Sequence, residues 1–400
     1  MTDTPPPGLS PAPEDTPGTP PPSGPAAPGG GQALVFDTTL KPSSFIGLSL
    51  KNGLLNLVTL TLWRFWGKTE VRRRVWQGIR LNGDAFEYTG RGKELFIGFL
   101  LALLVLGLPF LLILFAIQFL GPLVAPLLIL PLYIFLFWLV GFGVFTAYRY
   151  MASRTTWRGI RFRLGGSATN FGWKYLGVLV LSGITFGWYA PAGERSLAES
   201  LWRDLKFGDR KFRFDMRKSE EHGVYGAFAL GWLLTIIPYF VFVGVIIAIS
   251  VAMQMPASPL AAAAMLVVDQ PPAPVPPMPE FAMVLIIYGV MIAIAPLLLL
   301  IWSPYYAAML RSITAGVRID DAAFRIDVKA LPLWWLMIVN LFFLLITLGF
   351  AMPWVQARTA RFLVQRLTST GTAQVDEALQ TGTGPGSGEG LADAFGFSLI

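Results

Sequence analysis

The chain has no cysteine and a single histidine, His222. The first absence excludes disulfides, iron–sulfur clusters and thiolate zinc sites. The second excludes a multi-histidine metal site and leaves His222 as the only imidazole base for a nucleophilic triad. His222 follows Glu220 and Glu221 just before an apolar run, where a solvated or interfacial histidine is the plainer reading. Charge is scarce as well: 14% of residues are charged and 54% are hydrophobic. Lysine and arginine are missing from 94–148, 219–310 and 330–357, and no acid lies between Glu94 and Glu194. A transporter driven by protons or sodium usually keeps an ionisable group inside the bilayer, so that chemistry is disfavoured. Gly67-Lys68-Thr69 ends like a phosphate-binding loop, but Leu62 stands where the upstream glycine is needed. No zinc-finger, basic-zipper or RNA-binding signature is present. The chain is therefore expected to carry no metal, no cofactor and no catalytic group set, and to bind no nucleic acid.

What is present is apolar length. Runs near 95–120, 122–148, 224–252 and 281–303 each reach the ~20 residues that a helix needs to cross ~30 Å of hydrocarbon. With a mean hydropathy of +0.58, this is a mainly α, polytopic membrane protein. No signal peptide is expected, because Pro-rich sequence precedes the first apolar segment.

One further apolar device occurs three times. Residues 331–361 run without charge to Ala357, pass a Thr-Leu-Gly step and a Pro-Trp pair, and reach Arg358 and Arg361. Residues 43–73 repeat this at constant offset, with Asn52 on Asn340, Thr59 on Thr347, Trp66 on Trp354 and Arg73 on Arg361. A weaker copy at 175–195 has Thr185 in the Thr position.

Short alternating segments lie between basic and apolar stretches. Asn82-Gly83, inside GIRLNGDAFEY at 78–88, is a strong hairpin signal, since both residues tolerate positive φ. Similar hairpins are predicted at 159–171, 205–214 and 316–326, and a short strand at 34–42. The resulting order is a disordered Pro/Gly-rich tail (1–33), a first repeat unit with two spans (34–148), a second (149–303), a third repeat (304–367) and a disordered tail (368–400). The expected fold is a helical bundle with three apolar repeats and small cytoplasmic β-hairpins.

The 31 Lys and Arg residues gather in 67–93, 149–171, 191–223, 304–330 and 355–367. The positive-inside rule makes all five cytoplasmic. A full crossing by the second or third repeat would put basic segments on opposite sides. Four spans with three re-entrant or interfacial repeats resolve the conflict, and seven full spans with a basic loop outside are the alternative.

Two sets of candidate residues follow. Asn52, Thr59, Thr185, Asn340, Thr347 and Gly349 are repeat-motif positions that could line a cavity. Arg72, Arg73 and Arg74 with Trp66 and Trp354 could contact anionic lipid headgroups. The plainer readings are hydrogen bonding between helices for the first set and a topology signal for the second.

Residues 65–99, FWGKTEVRRRVWQGIRLNGDAFEYTGRGKELFIGF, together with the first repeat, resemble the YjgN family of uncharacterised bacterial inner-membrane proteins. Thr59-Leu60, Trp66, Arg72 to Arg74, Gly83-Asp84-Ala85-Phe86 and Gly92-Lys93-Glu94-Leu95 carry the resemblance, which covers about 34–367. The chain departs from the family pattern at Thr61, where glycine is usual, although the third repeat keeps Gly349. The resemblance implies a multi-pass protein of the bacterial inner membrane and brings no activity with it. Passage of a small or neutral solute is the leading expectation, and a non-transporting envelope or lipid-organising scaffold is the alternative. Membrane lipids and a second copy of the chain are the expected partners.

Overall fold

Alternation of apolar and charged residues, as in Ile79-Arg80-Leu81 and Phe86-Glu87-Tyr88, produces strands with one face turned inward. The computed structural model describes residues 31–120, 125–252 and 280–380. The predicted tail up to residue 30, the connections at 121–124 and 253–279, and the chain after Gln380 lie outside the described residues. Ten strands form one sheet in chain order: β1 (Phe36–Thr38), β2 (Ile79–Leu81), β3 (Asp84–Tyr88), β4 (Thr155–Trp157), β5 (Ile160–Leu164), β6 (Leu205–Phe207), β7 (Arg210–Phe214), β8 (Val317–Ile319), β9 (Ala322–Ile326) and β10 (Leu367–Thr370). Each pairs antiparallel with the next. Gln32 and Ala373 exchange two backbone hydrogen bonds of 2.9 Å, which brings the two ends of the sheet together in a barrel-like closure.

The predicted β-hairpins are present, and they join into a single barrel-like sheet larger than the small elements expected. Two boundaries also move. The second hairpin, expected at 159–171, spans 155–164 and turns at Arg158-Gly159, with φ of 48° and 76°. Gly166 leads into Ser167, whose side chain caps the next helix. The Gly/Thr/Ser-rich segment expected to be disordered from 368 supplies β10, and 371–380 folds under the barrel. Its buried Ala373, Val375 and Ala378 explain why: a few small apolar groups find a core that composition alone does not reveal.

Antiparallel order fixes what lies at each end. Residues 82–83, 158–159, 208–209 and 320–321 make tight turns at one end of the barrel. At the other end every connection is helical. After β1 come α1 (Ile46–Val58) and α2 (Arg64–Gln77). After β3 come α3 (Gly92–Ala102), α4 (Leu108–Ile117) and α5 (Ala125–Arg154). After β5 come α6 (Ala168–Ile184) and α7 (Ala190–Asp204). After β7 come α8 (Met216–Glu220), α9 (Val224–Ala252) and α10 (Glu280–Gly316), and after β9 come α11 (Ala330–Ile346) and α12 (Met352–Val364).

Each excursion leaves one strand and returns to its neighbour. The three repeats, α1/α2, α6/α7 and α11/α12, are therefore helix–turn–helix units whose two ends stand at the same level. A unit of that kind goes out from the sheet and comes back to it. Among the described residues three stretches are long and apolar enough to cross a membrane: Ala125–Arg154, Met216–Ala248 and Val284–Gly316. The expected span near 95–120 is helical but interrupted, with a π-helical turn at Leu103–Gly107 between α3 and α4. Pro109 follows at the start of α4 and offers no N–H to the carbonyl four residues back, which accounts for the loosened ladder. In the crown α5 packs on α6 through two glycines: a Cβ on Gly141 would stand 2.5 Å from Tyr175, and one on Gly172 would stand 2.9 Å from Trp138. Such small residues let helices approach where lipid gives no hydrophobic drive for association.

Candidate lipid-facing site

The three repeat turns are built alike. Thr59, Thr185 and Thr347 each end their first helix, and each hydroxyl donates to the carbonyl four residues back, at 2.6, 2.7 and 2.6 Å. The same oxygens accept from the N–H four residues on, at Trp63, Tyr189 and Ala351. Each threonine thus caps both helices at once. The next two residues turn left-handed in every copy: Leu60 and Thr61, Phe186 and Gly187, Leu348 and Gly349. At those tips Leu60, Phe186 and Leu348 are 84%, 80% and 88% exposed, large apolar groups offered to lipid.

The asparagines are structural too. Asn52 is buried and accepts from the Trp63 indole at 3.1 Å. Asn340 donates to Thr359 at 3.1 Å and accepts from Arg358 at 2.9 Å. The expected cavity-lining set is therefore distributed over capping and packing roles, and the cavities described below are lined by other residues.

The basic run of α2 also differs from the expected headgroup patch. Arg72 is 1% exposed, and its guanidinium donates to the Tyr88 hydroxyl at 3.2 Å. Arg73 reaches the Gly90 carbonyl and Arg74 the Ser44 carbonyl, so the run ties α2 to its neighbours. Trp66 stacks on Trp63 with ring centres 5.9 Å apart.

Trp354 leads to a different place. It lines a pocket of about 400 Å³ with Trp335, Pro332, Arg358, Arg361 and Arg366, between α11, α12 and Pro42. Arg358 lies over the Trp354 ring at 5.3 Å, and Arg366 lies over Phe362 at 3.7 Å. Among the described residues no carboxylate forms an ion pair with any of the three arginines. Partial burial presses the Arg358 guanidinium below its ordinary value. The sequence did carry a signal here, since the repeat alignment sets Arg361 on Arg73, but it did not tell which copy would gather its arginines around a pocket.

The second cavity is the barrel lumen, about 430 Å³. Inward residues of the strands line it, among them Phe86, Trp157, Phe162, Phe207 and Phe212. Towards the crown the lining continues with Leu310, Ile313 and Thr314 of α10 and Leu363 and Val364 of α12. At the hairpin end residues 371–380 close it. The N–H of Gln374 donates to Asp320 at 3.0 Å, and that of Leu379 donates to Asp209 at 3.0 Å. Arg210 reaches the Gln374 side chain at 2.8 Å, and Arg158 pairs with Asp376. Residues from three of the four hairpins hold this plug.

A crown of apolar helices standing on one rim of a closed sheet, with tryptophan and arginine at its base, defines a polytopic membrane protein. The chain belongs to the family described as bacterial protein of unknown function, DUF898, whose model matches residues 34–394; this is the YjgN family of the resemblance above. No curated protein and no solved structure matches the chain.

Proposed function

We propose that the chain is a non-enzymatic, non-transporting protein of the bacterial inner membrane that gathers anionic lipid at the base of its crown. The observation that carries this reading is the pocket where Arg358, Arg361 and Arg366 meet Trp335 and Trp354 without an acid partner among the described residues. Basic pockets between membrane helices on the cytoplasmic side suit anionic headgroups, and each nearby cation contributes ~1 kcal/mol of attraction. All four tight hairpins point away from the crown, and the strands beside them are rich in Lys and Arg. By the positive-inside rule that end is cytoplasmic.

Solute passage, the expectation from sequence, finds less support. The threonines that would line a polar path cap their own turns. The lumen lining is almost wholly apolar, and the lumen ends on the 371–380 plug.

The test is lipid retention. The full chain, extracted in mild detergent from a membrane of mixed phospholipids, should retain anionic over zwitterionic lipid by mass spectrometry. Arg361→Gln with Arg366→Gln should lower that enrichment while leaving the folded fraction unchanged. Equal retention of both lipid classes by the unaltered chain would overturn the reading.

A further inference from the structure

We infer that the barrel lumen is a binding site for a single aliphatic chain of a membrane lipid. The inference stands on the lumen alone and does not depend on the headgroup reading at Arg358. Three observations carry it. The lining is apolar and aromatic, with the Thr314 hydroxyl and the Trp157 and Trp202 indoles as its polar side-chain groups and no charged side chain, so it favours an apolar ligand. The volume is about 430 Å³, inside the range of ligand pockets, which also favour the mouths of β-barrels. A cavity of that size takes a slender ligand such as one hydrocarbon chain.

The third observation is direction. The hairpin end is closed by residues 371–380, held through Asp209, Arg210, Arg158 and Asp320. The apolar lining continues instead to the feet of α10 and α12, where Ile313 and Leu363 face it. The crown is the part that lies in lipid, so the lumen is continuous in character with hydrocarbon on one side and separated from water on the other. An occupant is therefore drawn from the bilayer and enters tail first.

The experiment uses the full chain in lipid nanodiscs that contain a phospholipid with a diazirine at the end of one acyl chain. After photolysis, adducts are mapped by peptide mass spectrometry. Crown helices will be labelled in any case, because they face lipid. The result expected is a second set of adducts on lumen strands, at Phe207, Phe212 and Val317. Val375→Trp, which fills the lumen from the plug, should abolish that second set and leave the crown adducts in place. A parallel arm adds a free diazirine fatty acid to detergent-solubilised protein, and lumen labelling confined to that arm would overturn the bilayer source. Labelling of the crown alone in the unaltered chain would overturn the site itself, whatever the fate of the variant. Neither outcome bears on lipid-class enrichment at the arginine pocket.

Discussion

Gln32 and Ala373 face each other across the seam of the sheet and share two hydrogen bonds of 2.9 Å. Ala373 is 1% exposed, and the Ser369 hydroxyl adds a bond to the Leu34 carbonyl at 2.5 Å. This seam joins the two ends of the described barrel and starts the plug that closes its floor. Ala373→Pro removes the N–H that donates to Gln32 and leaves the half-buried Gln32 carbonyl without its partner. The expected loss is about 1–3 kcal/mol, read as a lower Tm in detergent. Thr370→Ala, at an exposed position nearby, should leave Tm unchanged.

Thr61 holds φ of 70° where the other two repeats place glycine, Gly187 at 90° and Gly349 at 86°. A β-branched residue in that region is strained, by ~1–2 kcal/mol for an ordinary L-residue. Glycine would relieve the strain but adds backbone freedom to the unfolded chain, a penalty of roughly 0.5–1 kcal/mol. Thr61→Gly should therefore stabilise the protein by about 0.5–1 kcal/mol, and Gly349→Thr should destabilise it by a similar amount. Paired denaturation curves in one detergent check both signs.

Much of this was legible in the residues, for definite reasons. Asn82-Gly83 announces its turn because both residues accept positive φ, and the structure has that turn. Arg158-Gly159 does not announce itself, since arginine is an unusual choice at φ of 48°. The hairpin expected at 159–171 lies earlier, over 155–164, where β4 also pairs with β3. The three repeats were visible as a pattern of Thr, Trp and Arg, yet their membrane topology was not. Length alone permits α11 to cross; what the residues did not reveal is the pairing of β9 with β10, which brings both ends of the repeat back to the sheet. The same limit hid the lumen. Period-two alternation shows that Phe207 and Phe212 share a face, but only closure through Gln32 and Ala373 turns that face into an interior. For the arginines, spacing could not show that Arg72 would turn inward to Tyr88 while Arg358 would end against Trp354.

The outer face of the barrel sets like charges side by side. Arg163 lies opposite Lys206, and Lys206 lies opposite Lys211, in one row across three strands. Like charges directly opposite destabilise a sheet by roughly 0.2–1 kcal/mol per pair. Exposed charges are screened once the Debye length falls to ~10 Å at 0.1 M salt. The protein should therefore become more stable as monovalent salt rises from low concentration. Lys206→Glu replaces two repulsions by two attractions. It should raise stability by about 1 kcal/mol at low salt, with the advantage shrinking as salt is added. Thermal denaturation across a salt series reads both effects.

The absence of cysteine gives a clean background for testing whether the repeats dip and return. Single cysteines at Gly83 and Asp209 report the hairpin end of the barrel, and single cysteines at Leu60, Phe186 and Leu348 report the three tips. In intact cells a membrane-impermeant maleimide should label none of the hairpin positions, and in inverted vesicles it should label both of them. The tips end two-helix units whose limbs are short: α1 has 13 residues, and α6 and α11 have 17 each. At 1.5 Å per residue the longer limbs reach about 25 Å, short of the ~30 Å hydrocarbon core, so the tips should stop inside it. Water-poor surroundings suppress thiolate formation, and all three tips should therefore resist the reagent from both faces. Labelling of Leu348→Cys from outside the cell, with Gly83→Cys labelled only from within, would mean that the tip of the third repeat reaches the far face. Both limbs would still return to paired strands, so that result would overturn the depth assigned to the tip and leave the pairing of β9 with β10 standing.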